Sequence, residues 1–203
     1  MSASVQRGAG SWTRLAGVAV TLAAAMALWA AARMLHDQVR YFRIKYGRHA
    51  ERSADQVEAR ADALWRRYPA NYYLSLHMAS GWWTRYAESD GHGDTDALAA
   101  SHRWVRRGLK AHPLLSDFHL LEARIQQVTD PRAAAATWDA YVDRHYWNAF
   151  NQAMRVDFHA QAGAFTTASE ILTLLRGRPH HDWASARFRT ALRESMAPPP
   201  RRP

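Results

Sequence analysis

Apolar residues follow two different patterns along this chain. Residues 15–32 form a run of 18 without a single charge, and Arg14 and Arg33 flank it. From Ser53 to about Ser195, apolar residues instead recur at intervals of three and four, the spacing of one face of an α-helix. No sustained alternation of β-branched and polar residues, which would be typical of strands, interrupts this region. The pattern predicts an all-α protein with an apolar N-terminal helix.

The apolar run is long enough for a membrane span. A helix of 18 residues measures about 27 Å, just sufficient to cross the hydrocarbon core of a bilayer. We therefore predict a basic N-terminal segment at residues 1–14 and a single transmembrane anchor at residues 15–32. A cleaved signal peptide is an alternative, since Ala30 and Ala32 fit a small-x-small cleavage site, although the run is longer than the usual signal core. The third alternative is a buried helix of a soluble protein.

Residues 33–52 predict a basic amphipathic juxtamembrane helix. Its apolar stripe has spacings of 4, 3 and 4, and Arg and Lys surround that stripe. The helix either rests on anionic lipid headgroups or is a solvated connector whose stripe packs on the folded domain. The stripe consists of Leu35, Val39, Phe42 and Tyr46. The predicted membrane-flanking residues are Arg14, Arg33, Arg40 and Arg43.

The two flanks of the anchor give opposite indications of orientation. A short basic N-terminal segment normally stays in the cytoplasm, whereas the basic residues after the run would place that side in the cytoplasm. We favour the first orientation. The composition, rich in Ala and Arg, suggests a bacterium. The expected location is the bacterial inner membrane, single-pass, with the folded domain in the periplasm.

Capping residues and prolines divide residues 53–195 into helices. Ser53 with Gln56 three residues later predicts a helix start, and Pro69 ends that helix after Arg67. Residues 87–98 predict an enlarged loop, with Asp94 or Thr95 capping the next helix. Asp130-Pro131 predicts the cap of a helix at 133–145. Further helices are predicted at 114–128, 148–161, 166–176 and 182–195. Residues 196–203, rich in Pro and Arg, predict a solvated tail without helix.

Aromatic residues crowd the predicted helix from Ala70 to about Glu88. Its broad apolar face predicts burial against neighbouring helices, with one or two rings facing a ligand groove as the alternative. The predicted inward stripe is Tyr72, Leu76, Ala79, Trp83 and Tyr86, with Met78 and Trp82 beside it.

Helix ends recur at a spacing near 34 residues. Basic residues precede Pro69, Pro113, Trp147 and Pro179, at intervals of 44, 34 and 32. Mostly small or aliphatic residues lie 12, 8 and 5 positions before each stop, and Asp139 is the misfit. These triplets are Val57, Ala61, Leu64; Ser101, Val105, Gly108; Ala135, Asp139, Val142; and Thr167, Ile171, Leu174.

This rhythm resembles the tetratricopeptide (TPR) repeat, a helix-turn-helix unit of about 34 residues. Met78, Ala79 and Trp82 stand where that family usually has Leu, Gly and an aromatic residue, whereas Ser75 replaces its usual Trp. The resemblance covers residues 53–195. It implies a stack of antiparallel helix pairs with a concave face that holds peptides or partner proteins.

Charge and residue chemistry narrow the function classes. Lys and Arg outnumber Asp and Glu by 27 to 18, which suits anionic lipid or acidic glycan as additional ligands. The absence of Cys excludes disulfides and thiolate metal sites. Eleven His occur without an HExxH motif, and the Asp-Phe-His triplets at 117–119 and 157–159 have a spacing that separates their polar groups on a helix. We expect no metal, cofactor or catalytic site, and basic residues this dispersed do not favour nucleic acid.

The expected function is a membrane-anchored, TPR-like adaptor or scaffold that binds a protein partner in a bacterial cell-envelope assembly. A carbohydrate-binding or polysaccharide-export accessory module is the alternative, with Trp82 or Trp83 stacking on sugar. An enzyme would require a His and a carboxylate that converge only in three dimensions. The candidate partner-binding residues are Tyr73, His77, Trp82, His119 and Arg155.

Overall fold

The structure is a computed structural model that describes residues 6–46, 53–89, 94–145 and 148–197. Within these ranges the chain forms nine α-helices and no β-strand, which confirms the all-α prediction. The chain divides into two compact units, of which the first holds α1 and α2 and the second holds α3 to α9. The helices are α1 Gln6–Tyr46, α2 Ala54–Arg67, α3 Tyr72–Glu88, α4 Thr95–Ala111, α5 Ser116–Gln127, α6 Pro131–Val142, α7 Ala149–Gln161, α8 Phe165–Leu174 and α9 His181–Met196.

The first unit is dominated by α1, a single helix of 41 residues. This helix covers the predicted anchor and runs on without a break through most of the predicted juxtamembrane segment. Its apolar window, within Arg14–Tyr46, has a mean hydropathy of 2.0 and is 0% buried. By length and composition α1 can cross a membrane. Its exposure contradicts the alternative of a buried helix in a soluble fold.

The apolar stripe after the anchor is exposed. Leu35, Val39, Phe42 and Tyr46 are 41 to 67% exposed, so α2 does not cover this stripe within the first unit. The buried positions of α1 belong to a different face, at Asp37, Tyr41 and Ile44. Those positions have the spacings 4 and 3, and α2 packs on α1 within the first unit.

The second helix begins and ends as the sequence predicts. The Ser53 Oγ accepts a hydrogen bond from the Gln56 N–H at 3.3 Å, and this cap satisfies a backbone donor that the helix cannot. Ala61 and Leu64 are buried, in agreement with the predicted inward face. The helix ends at Arg67, two residues before Pro69.

The helices of the second unit pack in sequence order. Extensive contacts join α3 with α4, α5 with α6 and α7 with α8, and the other extensive contacts also join helices one or two apart in the chain. Small residues allow the close approaches. The Ser101 Oγ–H donates to the Ala79 carbonyl at 2.8 Å, and Gly108 leaves room for the ring of Phe118. A Cβ at Gly108 would overlap that ring.

Two tryptophans are the largest of the fully buried side chains of the second unit. Trp104 and Trp138 are both 0% exposed, and the Trp138 Nε1–H donates to the Asn151 carbonyl at 3.0 Å. This bond satisfies the polar atom of a buried ring and links α6 to α7. One apolar cluster joins α5, α6 and α7, and a second joins α7, α8 and α9.

The predicted stripe of α3 is partly confirmed: Ala79 and the adjacent Met78 are buried, whereas its aromatic positions are not fully buried. The buried residues are Leu74, Ser75, Met78 and Ala79, whereas the rings of Tyr72, Trp83 and Tyr86 are only partly buried. Small and aliphatic side chains permit the close contact with α4 that the Ser101 hydrogen bond demonstrates. Large rings do not fit that seam and lie at its edges.

The last two helices are held by aliphatic packing and by an ion pair. Leu174, in the last recurring triplet, is 75% exposed, whereas Ile171 of the same triplet and Leu175 are buried. Arg187 of α9 donates from Nε to Asp157 Oδ1 at 2.8 Å. Asp157 is buried, and a buried carboxylate requires such a partner.

Two predicted helix caps of the second unit are confirmed, and a third cap, at Asn148, was not predicted. Asp94 Oδ1 accepts from the Ala97 N–H at 2.9 Å, and Asp130 Oδ1 accepts from the N–H groups of Arg132 and Ala133. Asn148 Oδ1 accepts from the Phe150 N–H at 2.9 Å. The predicted tail from residue 198 onward lies outside the described residues.

Candidate partner-binding groove

A groove of about 280 Å³ lies between α5 and α6 in the second unit. Its walls come from three places: the turn before α5, the facing sides of the two helices, and the turn after α6. The lining residues are Pro113, Leu114, His119, Glu122, Thr137, Ala140, Tyr141, Arg144 and His145. This volume is near the lower end for small-molecule sites and suits one or two side chains of a peptide.

Two imidazoles are fixed in the groove by backbone carbonyls. His119 Nε2 lies 2.7 Å from the Pro113 oxygen, and His145 Nδ1 lies 3.1 Å from the Tyr141 oxygen. A carbonyl only accepts, so each of these nitrogens carries the hydrogen. In the neutral rings, His119 Nδ1 and His145 Nε2 are therefore acceptors. Each of the two neutral rings thus retains one acceptor nitrogen.

Aromatic stacking holds these rings in place. The Tyr141 ring stacks on His119 at 4.6 Å and on His145 at 4.5 Å between centroids. Tyr141 also contacts the buried ring of Trp138 at 5.1 Å. Because Trp138 is anchored in the core, the three aromatic side chains of the groove rest on a rigid base.

The groove combines one buried acid with exposed bases. Glu122 is 8% exposed and accepts from Arg106 Nη1 at 3.3 Å. The Arg106 side chain is 69% exposed, and Arg144 is also exposed at the rim. Leu114, 66% exposed, adds an apolar lip. Such a surface can accept hydrogen bonds from a peptide donor and pack an aliphatic side chain beside it.

Among the predicted partner-binding residues, only His119 lines this groove. Tyr73, His77 and Trp82 are carried by α3. Tyr73 is 54% exposed and its ring lies 3.9 Å from that of Tyr72, His77 is partly buried, and Trp82 lies under the Arg85 guanidinium at 5.4 Å. The structure therefore distributes these residues over different helices.

Arg155, the fifth predicted residue, takes part in an interhelical ion pair. Its Nε donates to Asp139 Oδ1 at 2.6 Å, and His159 Nε2 lies 3.0 Å from Asp139 Oδ2. Burial alone would raise the pKa of the Asp139 carboxyl, but hydrogen bonds and charge from His159 and Arg155 lower that pKa below its ordinary value of 3.8. These contacts tie α7 to α6. A His and a carboxylate thus converge here, although neither lines the groove.

The predicted membrane-flanking residues lie along α1. Arg33 lies over the ring of Trp29 at 5.3 Å, next to the end of the apolar run. Arg40 and Arg43 line a second groove, between α1 and α2 in the first unit. Arg14 is exposed at the other end of the run.

Sequence reasoning missed Glu122, Tyr141 and His145. A signal for the last two was present, because Tyr141 and His145 are four residues apart in the predicted helix 133–145 and would share a face there, although in the structure His145 lies in the turn after α6. The repeat pattern also gave a signal for Asp139, its misfit. A polar residue at an inward position of a helix requires polar partners, which for Asp139 are Arg155 and His159. Across the described ranges, no group of three or more His, Asp or Glu side chains is placed to hold a metal ion.

Comparison with known proteins gives no relative. No protein-family model matches the chain, and no curated protein or solved structure matches it. The functional inference therefore depends on the residues of this chain.

Proposed function

We propose that this protein is a single-pass membrane protein whose second unit is an adaptor for a protein partner. The groove between α5 and α6 is the observation that carries the proposal. It offers fixed acceptors, a buried carboxylate and an apolar lip, which together suit a short peptide segment with a hydrogen-bond donor beside an aliphatic side chain. The exposed apolar length of α1 supports a membrane anchor.

We further propose a TPR-like repeat arrangement for the helices after α1. The serial packing of α3 to α9 supports it, as do the small residues at helix contacts, Ala79, Ser101 and Gly108. In such an arrangement each helix pair buries its apolar face against the next pair. The anchor would confine the groove to the membrane plane and raise its effective concentration toward membrane-bound partners.

The proposed setting is a cell-envelope assembly of a bacterium, with the second unit in the periplasm. The short basic N-terminal segment before α1 supports this orientation. The carbohydrate-binding alternative needs a broad Trp face in a cleft. Among the described residues, which do not include Trp147, no Trp lines the α5–α6 groove or the α1–α2 groove, and this favours the adaptor.

Photo-crosslinking in intact bacteria tests the adaptor proposal. A photoreactive phenylalanine analogue replaces Leu114 in the groove of the full-length protein. The matched control replaces Leu174 of α8, which is also an exposed leucine, at 75% against 66%. We expect a discrete, protease-sensitive adduct from position 114 only, and we expect Glu122→Gln together with His145→Ala to abolish it.

Two results would contradict the adaptor proposal. One is equal crosslinking from positions 114 and 174. The other is an adduct that resists protease and is degraded by glycosidase, which would favour the carbohydrate-binding alternative.

A further inference from the structure

The first unit contains a basic groove beside the proposed membrane span. It measures about 430 Å³ and lies between the C-terminal part of α1 and α2. Its lining residues are Arg40, Arg43, Ile44, Val57, Ala59, Arg60, Ala63 and Leu64. Among the described residues, three guanidinium groups thus border the groove, the other lining residues are apolar, and no acidic residue lines it.

The helix register explains how the groove is assembled. Arg40 and Arg43 are three residues apart on α1 and share a face with Ile44, which is 6% exposed. On α2, Val57, Arg60 and Leu64 have the spacings 3 and 4, and Leu64 is 2% exposed. Buried aliphatic side chains therefore form the floor, while the arginines remain exposed around it.

Two of the nearby acids have other cationic partners. Asp62 pairs with Arg66, and Asp37 lies 4.0 Å from Arg67. Within the described ranges, none of Arg40, Arg43 and Arg60 forms an ion pair. Three positive charges beside an apolar floor are complementary to an anionic group that carries an apolar chain.

The position of the groove along α1 indicates that its ligand is a membrane lipid. Arg40 follows Arg33 by seven residues, about 10 Å of helix, and the polar layer of a bilayer extends about 5 to 8 Å beyond the hydrocarbon. Helical side chains lean toward the N-terminus of their helix, which for α1 is the membrane side. The guanidinium groups of Arg40 and Arg43 can therefore reach the level of the lipid phosphates.

Exposed rings on the same part of α1 support this depth. Phe42 is 45% and Tyr46 is 67% exposed, and their rings lie 5.8 Å apart between centroids. The Lys45 ammonium lies 5.1 Å from the Tyr46 ring centroid. Aromatic and basic residues together are characteristic of the membrane interface. We propose that the α1–α2 groove binds the headgroup of one anionic phospholipid, with its phosphate between Arg40, Arg43 and Arg60.

Native mass spectrometry of the full-length protein in a zwitterionic detergent tests this site. The probes are phosphatidylglycerol and phosphatidylcholine with identical acyl chains. We expect one phosphatidylglycerol bound in preference to phosphatidylcholine. Because each basic residue near a membrane surface changes affinity about 5-fold, we expect R40Q/R43Q/R60Q to weaken phosphatidylglycerol binding about 10- to 100-fold.

Three comparisons make the result specific. R132Q/R189Q/R193Q removes the same charge from exposed positions of the second unit and is expected to bind like the wild type. R40K/R43K/R60K retains the charge and is expected to keep most of the affinity. Inorganic phosphate is expected not to displace the lipid, since it cannot use the apolar floor.

Any of three outcomes would overturn the proposed lipid site. These are equal binding of the two lipids by the wild type, equal losses in the two glutamine variants, and displacement of the lipid by phosphate at similar concentration. Unchanged thermal unfolding of the variants checks that the substitutions leave the fold intact.

Discussion

At the scale of single residues, Gly108 shows how a missing side chain sets the distance between helices. Its position on α4 faces the fully buried ring of Phe118 on α5, and a Cβ there would overlap the ring. Gly81 on α3 has nothing within 4 Å of its Cβ position. These two helical glycines form a matched pair, because they differ in packing and share the same backbone conformation.

We predict that Gly108→Ala destabilises the protein and that Gly81→Ala does not. At position 108 the new Cβ overpacks the ring of Phe118, which costs about 1 to 3 kcal/mol of stability, and we expect this cost to exceed the gain of about 1 kcal/mol in helix propensity. At position 81 only the gain in helix propensity applies. Urea unfolding of the full chain in detergent measures both. Equal effects of the two substitutions would show that Phe118 does not require the gap at Gly108.

A second residue-scale prediction concerns Asp139, which accepts from both Arg155 and His159. Asp139→Asn removes the carboxylate that both partners contact. We expect a loss of about 1 to 2 kcal/mol, moderated by solvent because the Asp139 side chain is 26% exposed. Asp143→Asn is the control, since Asp143 lies 3.7 Å from Arg155 and is 68% exposed; its effect is expected to stay below about 0.5 kcal/mol.

The pH dependence of the Asp139 contribution follows from the lowered pKa of this carboxyl. The unfolded chain takes up the proton at a higher pH than the folded chain does. The stabilisation is therefore fully present above about pH 4 and is lost as the pH falls through the lowered folded-state pKa. Unfolding midpoints of wild type and Asp139→Asn should differ at pH 5 and converge once the pH falls below the lowered folded-state pKa. A difference that grows with acidification would contradict the pairing.

At the scale of helices, the boundaries were predictable because local chemistry sets them. Ser53, Asp94, Asp130 and Asn148 each accept a backbone N–H of the helix that follows, so their side chains alone indicate where helices begin. Rotational phase was less predictable. On α3 the sequence offers a broad apolar face. Whether Ser75 and Ala79 or the neighbouring rings are buried depends on how closely α4 approaches α3.

The candidate groove was less predictable than the helices for a related reason. His119 was identified from its helix, but Glu122, Tyr141 and His145 join it only because α5 packs on α6 in this register. Arg155 illustrates the opposite case. Its charge suggested a binding role, whereas its contacts with Asp139 depend on a partner 16 positions away that periodicity alone cannot pair with it.

An element-scale prediction concerns the packing of α2. Leu64 is 2% exposed, so we expect Leu64→Ala to cost about 2 to 5 kcal/mol and to increase hydrogen exchange of the α2 amides. Leu174→Ala, at an exposed leucine of α8, should change stability by less than about 0.5 kcal/mol. Unchanged exchange in α2 after Leu64→Ala would show that this helix does not depend on the Leu64 contact.

The whole molecule carries an exposed apolar helix in its first unit and a peptide-sized groove in its second unit. The apolar window of α1 has no buried share, and α2 contacts α1 near Arg40 and Arg43, beyond the apolar run. Two grooves then have separate proposed ligands: an anionic lipid in the first unit and a protein segment in the second. Both proposals require α1 to remain attached to the mature protein, which a cleaved signal peptide would prevent.

Retention of α1 is therefore the most direct test of this account. The measurement is the intact mass of C-terminally tagged protein in bacterial membranes after an alkaline carbonate wash. We predict that the protein remains in the membrane pellet with the mass of all 203 residues plus the tag. A protein that is shorter by the first 30 or so residues, as cleavage of a signal peptide would give, or that the wash releases, would contradict the membrane-anchored adaptor.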